Sequence, residues 1–285
     1  MRLSALPIAL LGLAPAMSGA QTWRTLDVSR QLRDTSDLRV HVQYGAGRFD
    51  LRPSDEPVLY TMHLRYDEEH TNPLDQFDAN AHSLSIGVRD HSAHWSGSKS
   101  EGERPEMRLT LARSVPMDLS LTLGATQTTV DLGGLTLRGF RFESGAAEAT
   151  VDFSAPNRAR IGSAAVNAGA ASITIRNIAN ARASTLDVKG GVGALDLGYG
   201  GTWTADMETH LAVAIGKVTI HVPPDVGIRL EMQRFLASFD NDGLVKRGGI
   251  WYSDNWDSAR FHLRLHIDAT FGAVEIDHSG AGSEP

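Results

Sequence analysis

One short phrase recurs between residues 117 and 222, and its spacing constrains the fold more than any other feature of the chain. It reads GATQTTVDL at 124–132, GAAEATVDF at 145–153, GAASITI at 169–175 and GVGALDL at 191–197, with a looser copy, IGKVTIHV, at 215–222. Each copy is a glycine step followed by a short alternating run that ends on an apolar residue. Val130, Val151, Ile173 and Leu195 lie 21, 22 and 22 residues apart. Near-constant spacing in this range marks stacked repeats, in which each unit buries its apolar face against its neighbours.

Alternation supplies the rest of the fold. Leu119, Leu121 and Leu123 share one face, as do Val130 with Leu132 and Phe140 with Phe142; strand side chains point to opposite faces with period two, so these residues line one interior. Gly133, Gly134, Gly139, Gly145 and Gly162 fall at expected corners, where positive φ or close backbone approach favours a residue without a β-carbon. No helical period of convincing length is present. The expected fold is all-β: a β-solenoid-like stack of short strands, either a single-stranded β-helix or a rolled sheet, with a less regular N-terminal β part. Regularly spaced short strands also build sandwiches and open barrels, which stand as the alternative.

Along the chain, residues 1–20 read as a signal peptide, with Arg2 before an apolar run and Ser18-Gly19-Ala20 before a cut that leaves Gln21 first. Residues 21–116 form an N-terminal β region packed onto the repeats, 117–277 the repeat domain, and 278–285 a disordered tail. Within the first region, Gly45–Leu51 carries a degenerate copy of the phrase, and two polar segments, 67–81 and 90–105, interrupt the strands. Near the other end, 226–236 follows two prolines and reads as a strand. The section 235–278 reads as a cover plus a last rung, with 271–276 repeating the phrase once more.

Charge and composition exclude several functions. The net charge of −7, from 27 Lys+Arg against 34 Asp+Glu, and the lack of a dense basic stripe argue against a nucleic-acid partner. No cysteine is present, which removes disulfides and thiol chemistry and, for an exported chain, points to a bacterial periplasm or surface. No stretch after the signal is long and apolar enough to span a bilayer. There is no GxSxG elbow and no phosphate-cradling GxxxxGK[ST] loop.

The candidate chemistry-bearing groups each have a structural explanation. His91 and His94, near His82 and Asp90, read as solvated loop histidines; Asp67-Glu68-Glu69-His70 as a hydrated charge run; and Asp240-Asn241-Asp242-Gly243 as a turn lacking the spacing of a calcium loop. Asp131, Asp152 and Asp196 recur at one position of the phrase and suggest an outward carboxylate row broken by Thr174. The sequence therefore assigns no catalytic, cofactor-binding or metal-binding residue and no cofactor. Trp251, Tyr252 and Trp256 are the densest aromatic group; they read as a hairpin folded over the last rung, with partner binding as the alternative that makes them the candidate partner-binding residues.

The succession LTLGATQTTVDLGGLTLRGFRFESGAAEATVDFS, GVGALDLGYGG and IGKVTIHVPPDVGIRL resembles the toast-rack family of bacterial envelope β-repeat domains. The closing FDNDGLVKRGGIWYSDNWDSARFHLRLHIDATFGAVEI is similar in style to that family, to LiaF-like C-terminal domains and to adhesin β-repeat domains. The resemblance spans about residues 117–277, with residues 23–116 matching loosely. It implies an exported, non-enzymatic β-repeat domain; repetition without a reactive constellation makes the expected function a binding or scaffold module that contacts an envelope protein or a surface glycan. An envelope-stress sensing component acting by protein contact is the alternative, followed by a polysaccharide-active enzyme on a β-helix.

Overall fold

The computed structural model describes residues 22–90, 104–240 and 243–278. The expected signal peptide, His91, His94, Asn241, Asp242 and residues 279–285 of the expected tail lie outside these. In chain order the front strands are β1 (Trp23–Gln31), β2 (Leu38–Ser54), β3 (Val58–Asp67), β4 (Thr71–Asp78), β5 (Ser83–Asp90) and β6 (Glu106–Ala112). There follow β7 (Pro116–Asp131), β8 (Thr136–Asp152), β9 (Ile161–Arg176), β10 (Ala183–Gly198), β11 (Met207–His221), β12 (Val226–Asp240), β13 (Leu244–Arg247), β14 (Ile250–Ser253) and β15 (Phe261–Asp277). All fifteen belong to one open sheet, and a 3₁₀ turn at Ile178–Ala181 is the only helical element among the described residues.

The centre of the molecule is a parallel stack in the order β2-β7-β8-β9-β10-β11-β15-β12. Each of these strands bends once, at the glycine step of the repeated phrase or, in β12, at Phe235-Leu236. In β7 the buried positions run Leu119, Leu121, Leu123 and then Thr126, Thr128, Val130. The change of parity places Gly124 and Ala125 side by side on the outside of the bend, so both arms turn the same face inward. Stacking then aligns columns. On the first arm Val42, Leu121, Phe142, Val166, Val188, Leu211 and Ile267 meet rung on rung; on the second, Leu51, Val130, Val151, Ile175, Leu197, Ile220 and Ile276. All of these are buried to 2 % exposure or less, and each contributes about 1.5–3 kcal/mol of burial.

After the second arm the chain crosses back to the next rung, and buried Asn157 and Asn180 hold these crossings. Asn157 accepts from Leu137 N and donates to Leu137 O, both at 2.8 Å, while Asn180 donates to Phe153 O and accepts from Thr202 N, also at 2.8 Å. Backbone groups that no strand could pair in the turns are satisfied this way, which the interior requires.

The strand register corrects the sequence alignment. Val130 pairs with Val151, but Val151 pairs with Ile175 and not with Ile173, and Leu195 pairs with Ile173. The phrase therefore slips by two residues between its second and third copies. A slip of two keeps every side chain on its own face, so the inward and outward assignments survive while the alignment does not. The copy at Gly45–Leu51 is a rung, with Leu51 opposite Val130 and Phe49 opposite Thr128.

Both ends of the stack depart from chain order. At the N-terminal end β5 covers the first arm of β2, β6 covers its second arm, and β3 and β1 follow antiparallel on β6. Residues 71–78 of the expected polar interruption are strand β4, paired to β5 with Leu74 buried. At the other end β15 is not the last rung: it lies between β11 and β12. Its apolar alternation, Leu263, Leu265, Ile267 and then Val274, Ile276, suits a strand paired on both edges. β12 carries Arg234 at an inward position of the register, opposite Ala269, a charge that suits an outer edge. Among the described residues, β12 is paired on its far side only at Arg229 and Leu230, by β14.

Candidate functional site

Three outward features distinguish the surface. The first is the bend itself. One column on its outside runs Ala46, Ala125, Ala146, Ala170, Val192, Ile215, Phe271, Leu236. Its side chains grow along the stack, and the last four are 53 %, 49 %, 41 % and 63 % exposed, with Phe235 at 74 % beside them. Phe235 and Phe271 pack edge to face with ring centroids 6.2 Å apart. Alongside the alanine half of this ridge lies an open groove of about 520 Å³, floored by Gly145, Gly169 and Gly191 and walled by Thr122, Glu143, Asn167 and Lys189.

The second feature is a ladder of histidines and carboxylates on the first arm. His210 of β11 stands directly opposite His266 of β15, with Asp187 of β10 and Glu231 of β12 flanking them in the same row. Glu208 lies two residues before His210 on the same face. His210 Nδ1 is 3.0 Å from Asp187 Oδ1 and its Nε2 is 3.2 Å from Glu208 Oε1. His266 Nε2 lies 3.1 Å from that same Glu208 oxygen, and its Nδ1 is 3.7 Å from Glu231 Oε2. The hydrogen bond to Asp187 chiefly holds the His210 pKa above the ordinary imidazole value, against a smaller opposing effect of burial.

The third is the aromatic group expected from the sequence. Trp251 and Tyr252 lie on β14 and Trp256 in the turn that follows, each half-buried. Trp251 packs on Phe239 at 5.3 Å, and Trp256 lies between Tyr252 at 5.6 Å and His262 at 4.6 Å. Lys246 and Arg264 sit over the rings of Trp251 and Trp256. The hairpin thereby covers the start of β12 and presents partly exposed aromatic edges.

Of the remaining sequence candidates, Asp67, Asp131 and Asp152 stand at strand ends and Asp196 lies within β10. Asp67 is buried and bonds His70 Nδ1 at 2.8 Å and the Glu69 amide at 3.1 Å, while Glu68 pairs with Arg24. The carboxylate row does not form as one line. Asp131 stands opposite Asp152, but Asp152 stands opposite Arg176, and Asp196 occupies the column of Thr150 and Thr174. Asp131 accepts from Gly133 N and Ser154 Oγ, and Asp152 accepts from Asn177 Nδ2, so both brace turns. The histidine cluster escaped the sequence reading because His266 reaches His210 only through the out-of-order position of β15. The available signal was the shared outward parity of Glu208 and His210 in METHLAV and of His266 in HLRLHID.

A central parallel stack of bent rungs around buried apolar columns is the fold of a β-repeat protein. The chain matches the model of the N-terminal domain of toast_rack over residues 18–176, more than half its length, and belongs to that family. The match covers the front part that the sequence reading aligned only loosely, and it ends with β9. No curated protein matches the chain. Among solved structures it is similar to a putative cell adhesion protein from Clostridium sporogenes, at 13 % identity over 90 % of this chain and 99 % of that one, with a TM-score of 0.43. It is also similar to putative adhesins from Bacteroides fragilis (10 % identity, 93 % and 100 % covered, TM-score 0.34) and Parabacteroides merdae (11 %, 91 % and 97 %, 0.35).

Proposed function

We propose that this protein is an exported, non-enzymatic β-repeat module of the bacterial envelope that docks an envelope protein along the outer bend of its stack. The observation that carries this reading is the apolar column Val192, Ile215, Phe271, Leu236, each residue 41 % exposed or more and in register with the next. Isolated exposed apolar residues are ordinary, but a contiguous row is characteristic of a contact surface. Aliphatic and phenyl groups in a row suit an apolar strip on a protein. The groove beside the ridge adds Glu143, Asn167 and Lys189 as polar contacts for the partner's rim. Catalysis is not needed to account for any outward column, and the sequence carries no nucleophile motif.

The test is site-specific photo-crosslinking in intact cells, with the crosslinking residue placed at Ile215 or, as a control, at exposed Arg176 on the outside of the second arm. A discrete protein adduct from position 215 and none from 176 is expected. Equal labelling from both positions, or none from 215, would overturn the docking assignment. Export is checked separately by N-terminal sequencing of the mature chain, which is expected to begin at Gln21.

A second reading, contact with a surface glycan through Trp251, Tyr252 and Trp256, draws on the partly exposed aromatic edges at the end of the stack. Stacking on sugar rings would make binding to envelope polysaccharide sensitive to Trp256→Ala and indifferent to Ile215→Asp. The opposite pattern removes it.

A further inference from the structure

We propose that Glu208, His210 and His266 form a binding site for one divalent transition-metal cation of the zinc class, bridging β11 and β15 and unrelated to the docking ridge. Their ligand atoms lie within 4.8 Å of one another. A tetrahedral zinc ion with bonds of ~2.0–2.1 Å needs ligand atoms about 3.3 Å apart. The Glu208 Oε1 to Nε2 separations of 3.2 Å and 3.1 Å already meet this, and the third edge has to close from at most 4.8 Å. Two imidazoles and one carboxylate are a common zinc donor set.

The surroundings are what separate this cluster from a chance gathering of surface charge. Each histidine turns Nε2 toward Glu208 and Nδ1 toward a second carboxylate, Asp187 for His210 and Glu231 for His266. For His210, whose Nδ1 is 3.0 Å from Asp187, that is the carboxylate–histidine–metal arrangement, in which an outer carboxylate fixes the Nδ1–H tautomer and aims the Nε2 lone pair at the ion, while Glu231, 3.7 Å from His266 Nδ1, adds an ion-pair contact. A neutral imidazole has one donor and one acceptor nitrogen, so His210, with Nδ1 protonated toward Asp187, presents its Nε2 lone pair to the Glu208 oxygen 3.2 Å away. Positive charge between them resolves that opposition, supplied by a cation or by a second proton on the ring. Of the nearby arginines, Arg229 is paired with Glu231 and Arg264 with Asp206. The ion would join β11 to the strand threaded out of order beside it, with outer carboxylates from the rungs on either side. It would act as a clamp on that insertion.

The test uses the full mature chain, stripped with chelator and titrated with zinc chloride by calorimetry and native mass spectrometry. One zinc per chain is expected, with a raised melting temperature. Glu208→Gln and a paired His210→Asn/His266→Asn variant are expected to lose both effects, whereas His221→Asn on the second arm keeps them. Asp187→Asn and Glu231→Gln are expected to weaken binding by roughly 10- to 100-fold. In histidine-selective nitrogen NMR, zinc should move the Nε2 resonances of His210 and His266 while their Nδ1 sites stay protonated. That signature separates a metal from a doubly protonated pair, and it is read directly on the unsubstituted protein if a variant fails to fold. No bound zinc, or zinc binding that survives the paired substitution in a folded chain, would overturn the proposal.

Discussion

Gly272 stands at a close approach between the bends of neighbouring rungs. A β-carbon built there would lie 1.8 Å from the carbonyl oxygen of Gly216, and the residue has φ +124, a conformation that costs a side chain dearly. Gly272→Ala is therefore expected to lower stability by about 2–4 kcal/mol, read as a shift of the denaturation midpoint. Gly162, also in the stack, would meet nothing within 4 Å, and Gly162→Ala should be neutral or stabilising by about 0.5 kcal/mol. If both substitutions cost the same, the bend is not what requires glycine. At this scale the sequence conveys parity well and register poorly. Val130, Val151, Ile175 and Leu197 all face inward as their alternation implies, yet Asp196 is out of line with Asp152 because a two-residue slip changes no side chain's face. The zinc-type cluster was hidden for a related reason, since nothing local to His210 says that a residue 56 positions later will stand opposite it.

The strands themselves differ in how their edges are met. β15 is paired along both edges, from Leu263 to Asp277 against β11 and from Phe261 to Glu275 against β12. β12 has one full partner and, on its far edge among the described residues, only the two-residue contact with β14. Backbone amides exchange slowly when they are bonded within a packed sheet and quickly when they meet solvent. Hydrogen exchange is expected to find β15 among the slowest segments, although it is the last strand in the chain, and alternate amides of β12 beyond Leu230 exchanging fast. Uniform protection across β12 would mean that its outer edge is covered. The sequence signals both strands, but not their order. Order follows from which of two compatible strands has both edges suited to pairing, and Arg234 at an inward position is the local mark that β12 is the outer one.

For the whole molecule, the question is whether the repeats form an autonomous unit. The phrase is most regular after residue 117, which is why the sequence suggests a boundary there. Yet β2 lies in unbroken parallel register on β7, from Leu38 opposite Met117 to Leu51 opposite Val130. Its Val40, Val42, Phe49 and Leu51 are buried to 1 % or less in the same core as the repeats. Cutting the chain at 117 would strip β7 of one whole edge and expose the inward columns of its rung. In a stack each rung is stabilised by its neighbours, and a terminal rung without a cap presents both apolar surface and unpaired backbone. A fragment of residues 117–278 is therefore expected to bind a hydrophobic dye, to associate, and to lose the single cooperative melting transition of the full chain. A monomeric fragment that melts cooperatively near the temperature of the full chain would instead establish that β1 to β6 are an added domain and that β7 can serve as an end.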